Sequence, residues 1–268
     1  MSLRRGLFAA CLAMLPAMVG AHEFWIEPDA YQVAPGDTMT AQLRVGETFG
    51  GSVQSYLPRN FQRFDLRCNG ATSKVTGRAG DRPALSVTAP GDGLCVVIHQ
   101  TRYFALTYET WQKFVNFVEH KDFRSAIADH RARGLPEKDF TEQYSRYAKS
   151  LIAVGSGRGA DGPVGLTTEI VAEANPYTDN LSGGMPVQVL FKGRPRADAQ
   201  VELFAKSPGG RVTVSLHRTD GQGRARLPVK PGHSYLVDAV VLRPVTPRQD
   251  GDPVWETLWA SLTFSVPG

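Results

Sequence analysis

The feature that most constrains this chain is its last strand-like run. Between residues 257 and 266, Leu258, Ala260, Leu262, Phe264 and Val266 alternate with Trp259, Ser261, Thr263 and Ser265. A period of two puts these sets on opposite sides of an extended chain and gives a helix no single apolar face. The alternation predicts an antiparallel strand with one buried face. Runs at 185–191, 200–205, 211–217, 224–229 and 234–241 read the same way, with Asp220-Gly221-Gln222-Gly223 as a tight hairpin connection. Six short strands at this spacing predict an immunoglobulin-like sandwich of about 100 residues.

The first half begins similarly. Strands are expected at 38–45, 61–68, 84–88 and 94–99, introduced by turns such as Pro35-Gly36-Asp37 and Pro90-Gly91-Asp92-Gly93. In the last of these, Leu94, Val96 and Ile98 share one face, and Cys95, Val97 and His99 share the other. The period then changes. Trp111, Phe114, Val115, Val118, Phe123 and Ile127 recur at helical spacing, and Gly134-Leu135-Pro136 ends that helix. A second helix is expected from near Glu137, with Phe140, Tyr144, Tyr147, Ala148 and Leu151 on one side. Residues 155–165 are rich in glycine and read as a loop. The expected fold is therefore mainly β. It has two immunoglobulin-like β-sandwich domains, 22–165 and 166–268, the first with an inserted helical pair at about 110–153.

The N-terminus carries the three parts of an export signal. Arg4 and Arg5 precede an apolar run from Gly6 to Met18, and Val19-Gly20-Ala21 offers small residues for cleavage. Residues 1–21 are thus expected to leave, which makes the protein periplasmic and His22 its first residue. The formal charge of +4 falls to +2 without the two arginines, and no basic stripe tracks along the rest. A nucleic-acid partner is not expected, nor is a membrane span in the mature chain. Of three cysteines, Cys11 lies in the leader, so Cys68 and Cys95 are expected to form a disulfide in an oxidising compartment.

His22 is the position that can carry chemistry. Cut after Ala21, it offers an α-amine and an imidazole from one residue, a bidentate chelate for a transition metal. One more imidazole would complete a histidine brace suited to copper. His99, at the end of its strand, is the candidate partner, placed where the rim of a sandwich would be. A histidine that merely follows a cleavage point, and a hydrogen-bonded histidine at a strand end, account for the same residues. His120 and His130 are ten apart and read as solvated; His217 and His233 read as strand-end or turn residues. No H-x-x-x-H, H-E-x-x-H, G-x-S-x-G or P-loop ending is present, so no catalytic residues are expected. Trp25, Tyr56 and Trp111 could stack on a sugar or simply pack in a core.

Several segments together resemble one bacterial exported family, domain of unknown function 4198. They are Ala21-His22-Glu23-Phe24-Trp25-Ile26-Glu27-Pro28, Tyr144 to Lys149, Glu169-Ile170-Val171 with Asn175-Pro176-Tyr177, Gly193-Arg194-Pro195, Thr219-Asp220-Gly221, and Trp255 to Phe264. The resemblance spans essentially the whole mature chain. It implies a periplasmic component grouped with nickel or cobalt uptake, and it strengthens His22 alone as a ligand. The expected function is non-enzymatic binding or delivery of copper, nickel or cobalt, with a membrane metal transporter or outer-membrane receptor as partner. Two alternatives stay open. One is a scaffold or binding module of the cell envelope without metal; the other is a copper monooxygenase using the brace.

Overall fold

The apolar alternation is realised as three stacked sheets in a computed structural model that describes residues 22–268. The leader expected over residues 1–21 lies outside the described residues. Nine strands precede the helices: β1 (Glu23–Pro28), β2 (Gln32–Val33), β3 (Thr38–Glu47), β4 (Gly50–Gln54), β5 (Phe61–Cys68), β6 (Ala71–Lys74), β7 (Leu85–Thr88), β8 (Gly93–Thr101) and β9 (Phe104–Tyr108). The helices α1 (Trp111–His120) and α2 (Ala126–Ala132) follow, and then β10 (Phe140–Val154). The remainder is β11 (Thr168–Ala172), β12 (Met185–Phe191), β13 (Arg194–Pro195), β14 (Gln200–Lys206), β15 (Val212–Arg218), β16 (Arg224–Leu227), β17 (Ser234–Pro244) and β18 (Trp255–Ser265).

The middle layer runs β15-β14-β17-β18-β10-β8-β5-β6, with β2 and β9 also on β10. One outer sheet is β1-β3-β4 with β7 on β3; the other is β11-β12-β13 with β16 on β12. The mainly-β sandwich architecture is as expected. Its middle layer, however, is common to both halves: β10 pairs in parallel with β18, Glu142 opposite Trp255 through Ser150 opposite Thr263. Strand pairing thus crosses the boundary drawn at residue 165.

That shared layer explains why its central strands are largely buried on both faces. Leu94, Val96 and Ile98 of β8 pack with Val187 and Val189 of β12. Cys95 and Val97 pack the other way, with Phe24, Ile26 and Met39. In β18, Leu258, Ala260, Leu262 and Phe264 take the first of these cores. The intervening residues were expected to face water, but Trp259, Ser261 and Thr263 are buried too. A small hydroxyl is tolerable there when it is satisfied locally, as Thr263 is, whereas the Ser261 hydroxyl has no partner among the described residues. The Thr263 hydroxyl bonds the Ile26 carbonyl at 2.6 Å and lies 2.8 Å from the Ser150 hydroxyl.

The helical pair exists, but it lies wholly within the segment expected for the first helix. The expected second helix is instead the long strand β10. Phe140, Tyr144, Tyr147, Ala148 and Leu151 fit a helical stripe only because β10 is buried on both faces along its second half, which erases the period of two. The turn Asp220–Gly223 joins β15 to β16, and these belong to different sheets, so it is no hairpin.

Cys68 and Cys95 are joined, and they are register partners on β5 and β8. The closed loop of 27 residues restricts the unfolded chain, so Cys68→Ala with Cys95→Ala is expected to cost about 2–4 kcal/mol in urea unfolding. A loss below measurement error would contradict this.

Candidate functional site

Strand β1 organises the site, because its alternation sends successive residues of the opening motif to different environments. Phe24 and Ile26 enter the core under the middle sheet. Glu23, Trp25 and Glu27 point the other way, onto β14 and β17. Trp25, fully buried, packs with Phe49, Phe204 and Leu236, which leaves no ring free to stack on a sugar. Glu27 binds Lys206 at 2.8 Å and pairs with Arg44.

Glu23 enters a buried charge cluster. The Lys121 ammonium, which follows α1, lies 2.9 Å from Glu202, 3.1 Å from Asp238 and 3.5 Å from Glu23. All four side chains are no more than 5% exposed. Burial and the Asp238 carboxylate push the Glu23 carboxyl up to about 7, against the pull of Lys121. Burial likewise raises Asp238 to about 6. Glu202 goes the other way: burial opposes its charge, but hydrogen bonds from His120 and Lys121 hold its carboxyl below the ordinary range. Three carboxylates within 4.8 Å could suit a cation, but Lys121 already stands among them as the cation.

His22 itself is half exposed. Its Nδ1 is 3.2 Å from Oε1 of Glu47. Glu47 closes β3 just before a two-residue turn whose central residues, Thr48 and Phe49, both have positive φ (53° and 55°). That left-handed pair matches the twist of a hairpin, but it disfavours side chains with a Cβ. Burial of Phe49 against Trp25, ring centroids 5.6 Å apart, holds the turn and so sets Glu47 beside His22.

His99 stands elsewhere. It lies inside β8 rather than at its end, and its ring is fully buried. Phe24, Phe61 and Phe64 surround it at centroid distances of 5.1, 4.6 and 5.0 Å. Neither ring nitrogen has a hydrogen-bond partner, and burial pushes its pKa down to about 3. The expectation of a rim ligand is corrected: the face shared with Cys95 and Val97 points into the core, and the structure does not join His22 and His99 in one open site. His130 is also buried, not solvated. Its Nδ1 accepts from the Trp255 indole at 3.0 Å, and its Nε2 lies 2.9 Å from the Pro136 carbonyl. His120 is exposed and reaches Glu202 at 3.4 Å.

Sequence reasoning missed the cavity at which His22 sits. It has a volume of about 310 Å³ between β9, α1, β10 and β18. Tyr108, Phe117, Tyr144 and Trp259 supply its aromatic walls, and Lys113, Glu142 and Arg146 its charged groups. Glu142 is buried and is bonded by the Tyr108 hydroxyl at 2.8 Å and by the Thr257 hydroxyl. Burial raises its carboxyl to about 7, against the pull of those two bonds. The signal was the pattern Tyr144-x-Arg146 within a segment taken for a helix; read as a strand, it puts Glu142, Tyr144 and Arg146 on one face. A larger groove of about 590 Å³ is lined by Glu27, Arg44 and Lys206 among others, but those three charges already satisfy one another.

These sheets and the half-exposed His22 define a mainly-β sandwich protein with a surface cavity beside its first described strand. The chain belongs to the family described as Domain of unknown function (DUF4198), whose model matches residues 19–243. No curated protein matches the chain. Among solved structures it is similar to the D0-D1 domain of Intimin, at 12% identity over 90% of this chain and 97% of that one, with a TM-score of 0.22. It is also similar to a tetra-tandem repeat in the extending region of a large adhesion protein, at 10% identity, over 91% and 49% of the two chains, with a TM-score of 0.21. No helix among the described residues is long and apolar enough to cross a membrane.

Proposed function

We propose that this is an exported protein that captures a transition metal ion (copper, nickel or cobalt) at His22 and passes it on as cargo in the periplasm. The observation that carries the reading is the 3.2 Å separation of His22 Nδ1 and Glu47 Oε1 on an accessible surface. Metal–nitrogen and metal–oxygen bonds of about 2.0–2.2 Å put neighbouring donors roughly 2.9–3.5 Å apart, so the pair already has the spacing of two ligands of one ion. Cleavage after Ala21 would add the α-amine of the same residue and make the set two nitrogens and one oxygen. That mixture suits Cu(II), Ni(II) and Co(II). His99 plays no part, and with a single imidazole the site departs from a histidine brace, which removes the main support for a monooxygenase.

Calorimetric titration of Ni(II) and Cu(II) into the chain that begins at His22 tests this. Glu47→Gln is expected to weaken binding roughly ten-fold, and His22→Ala to abolish it. Affinities unchanged by both substitutions would overturn the reading.

A further inference from the structure

We propose that the cavity beside His22 receives the metal as a complex with a small, flat organic carboxylate rather than as the bare ion. The inference rests on His22 as the metal donor and concerns what accompanies the ion. His22 lines the same space as Arg146, Lys113, Tyr144 and Trp259. The Arg146 guanidinium lies 4.9 Å over the Tyr144 ring and donates one N–H to the His22 backbone carbonyl at 3.5 Å. Its Nε is buried without a partner. Among the described residues no carboxylate pairs with it; Glu23 and Asp238 act on it only from a distance.

A guanidinium fork with spare N–H groups suits a carboxylate, which it can hold through two parallel bonds. The other acidic group present, Glu142, has its oxygens engaged by Tyr108 and Thr257. Lys113 adds a second positive head, paired with Glu109 on the α1 side. Arg146 and Lys113 thus give an anionic chelator carried by the ion an attraction that the bare ion, held by His22 and Glu47 alone, does not gain. Size points the same way, since 310 Å³ is at the scale of an organic ligand and roughly ten times the volume of one water. The aromatic walls offer faces on which a flat ring can lie.

The test uses the chain beginning at His22 and three probes: nickel chloride, pyridine-2-carboxylate, and their preformed one-to-one complex. The complex is expected to bind about ten-fold more tightly than either component, through the added charge-assisted bonds. Arg146→Gln and Lys113→Gln should each remove that gain, and Lys113→Gln should not weaken the binding of nickel chloride. Lys113 sits on the helix surface, so its variant carries the test if Arg146→Gln does not fold. A complex no tighter than nickel chloride, a free acid as tight as the complex, or a gain that survives the folded variants overturns the inference and leaves His22 as a metal donor. Absence of nickel binding in every form overturns the metal reading itself.

Discussion

His99→Leu is expected to make the protein more stable, and the gain should grow as the solution is acidified. The ring of His99 is surrounded by three phenyl groups, and neither nitrogen is hydrogen-bonded. Each unsatisfied buried polar atom costs about 1–3 kcal/mol. An apolar side chain of similar volume removes that cost and forfeits aromatic contacts of about 0.5–1.5 kcal/mol. At neutral pH the net gain should be about 1 kcal/mol. Acid enlarges it. The folded ring binds its proton only near pH 3, against 6.5 for the free side chain, so the unfolded chain is protonated first as pH falls. The stability tied to His99 is complete above about 6.5 and drains away down to about 3. Integrated over that window, the loss approaches about 4–5 kcal/mol, and His99→Leu should escape it. Urea unfolding at pH 7 and pH 4 measures both effects. A variant less stable than the parent at pH 4 would contradict the account. Its metal affinity should equal that of the parent.

Lys121→Met is expected to cost about 3–5 kcal/mol or to prevent folding. The substitution leaves Glu23, Glu202 and Asp238 buried within 4.8 Å of one another with no ammonium among them. It also takes the cation from the Trp259 ring, 4.9 Å away. The damage comes from the stranded carboxylates rather than from a lost attraction, because the desolvation of such groups is repaid only by a partner. Adding Glu23→Gln and Asp238→Asn to Lys121→Met should therefore recover much of the loss. Urea midpoints of the single and triple variants decide the matter; a triple variant weaker than the single one would refute this explanation.

Much of the fold was legible because a strand with one polar face writes its period openly. The runs at Phe61–Cys68 and Met185–Phe191 have the expected ends, and the pairing of Cys68 with Cys95 followed from counting. What stayed hidden has one physical source, the shared middle sheet. Burial on both sides blurred β10 into an apparent helix, concealed the inward turn of His99, and made the second face of β18 look solvent-exposed. The site was legible only in its first residue. His22 could be named from the cleavage pattern, but Glu47 reaches it through strand pairing between β1 and β3, Glu23 opposite Gly46. Arg146 arrives from more than a hundred residues away. No local pattern announces either contact. Lys121, Glu202 and Asp238 were invisible for the same reason: each is an ordinary charged residue until β1 is laid over β14 and β17.

The central claim is that the first residue of the mature chain is a metal donor through both its amine and its ring. Calorimetric titration of Ni(II) into two proteins tests it most directly, one beginning at His22 and one with a single glycine placed before it. The added residue converts the amine to an amide and leaves the imidazole and Glu47 in place. The expected result is tight one-to-one binding by the first and a loss of roughly a hundred-fold or more in the second. Equal affinities would contradict the account.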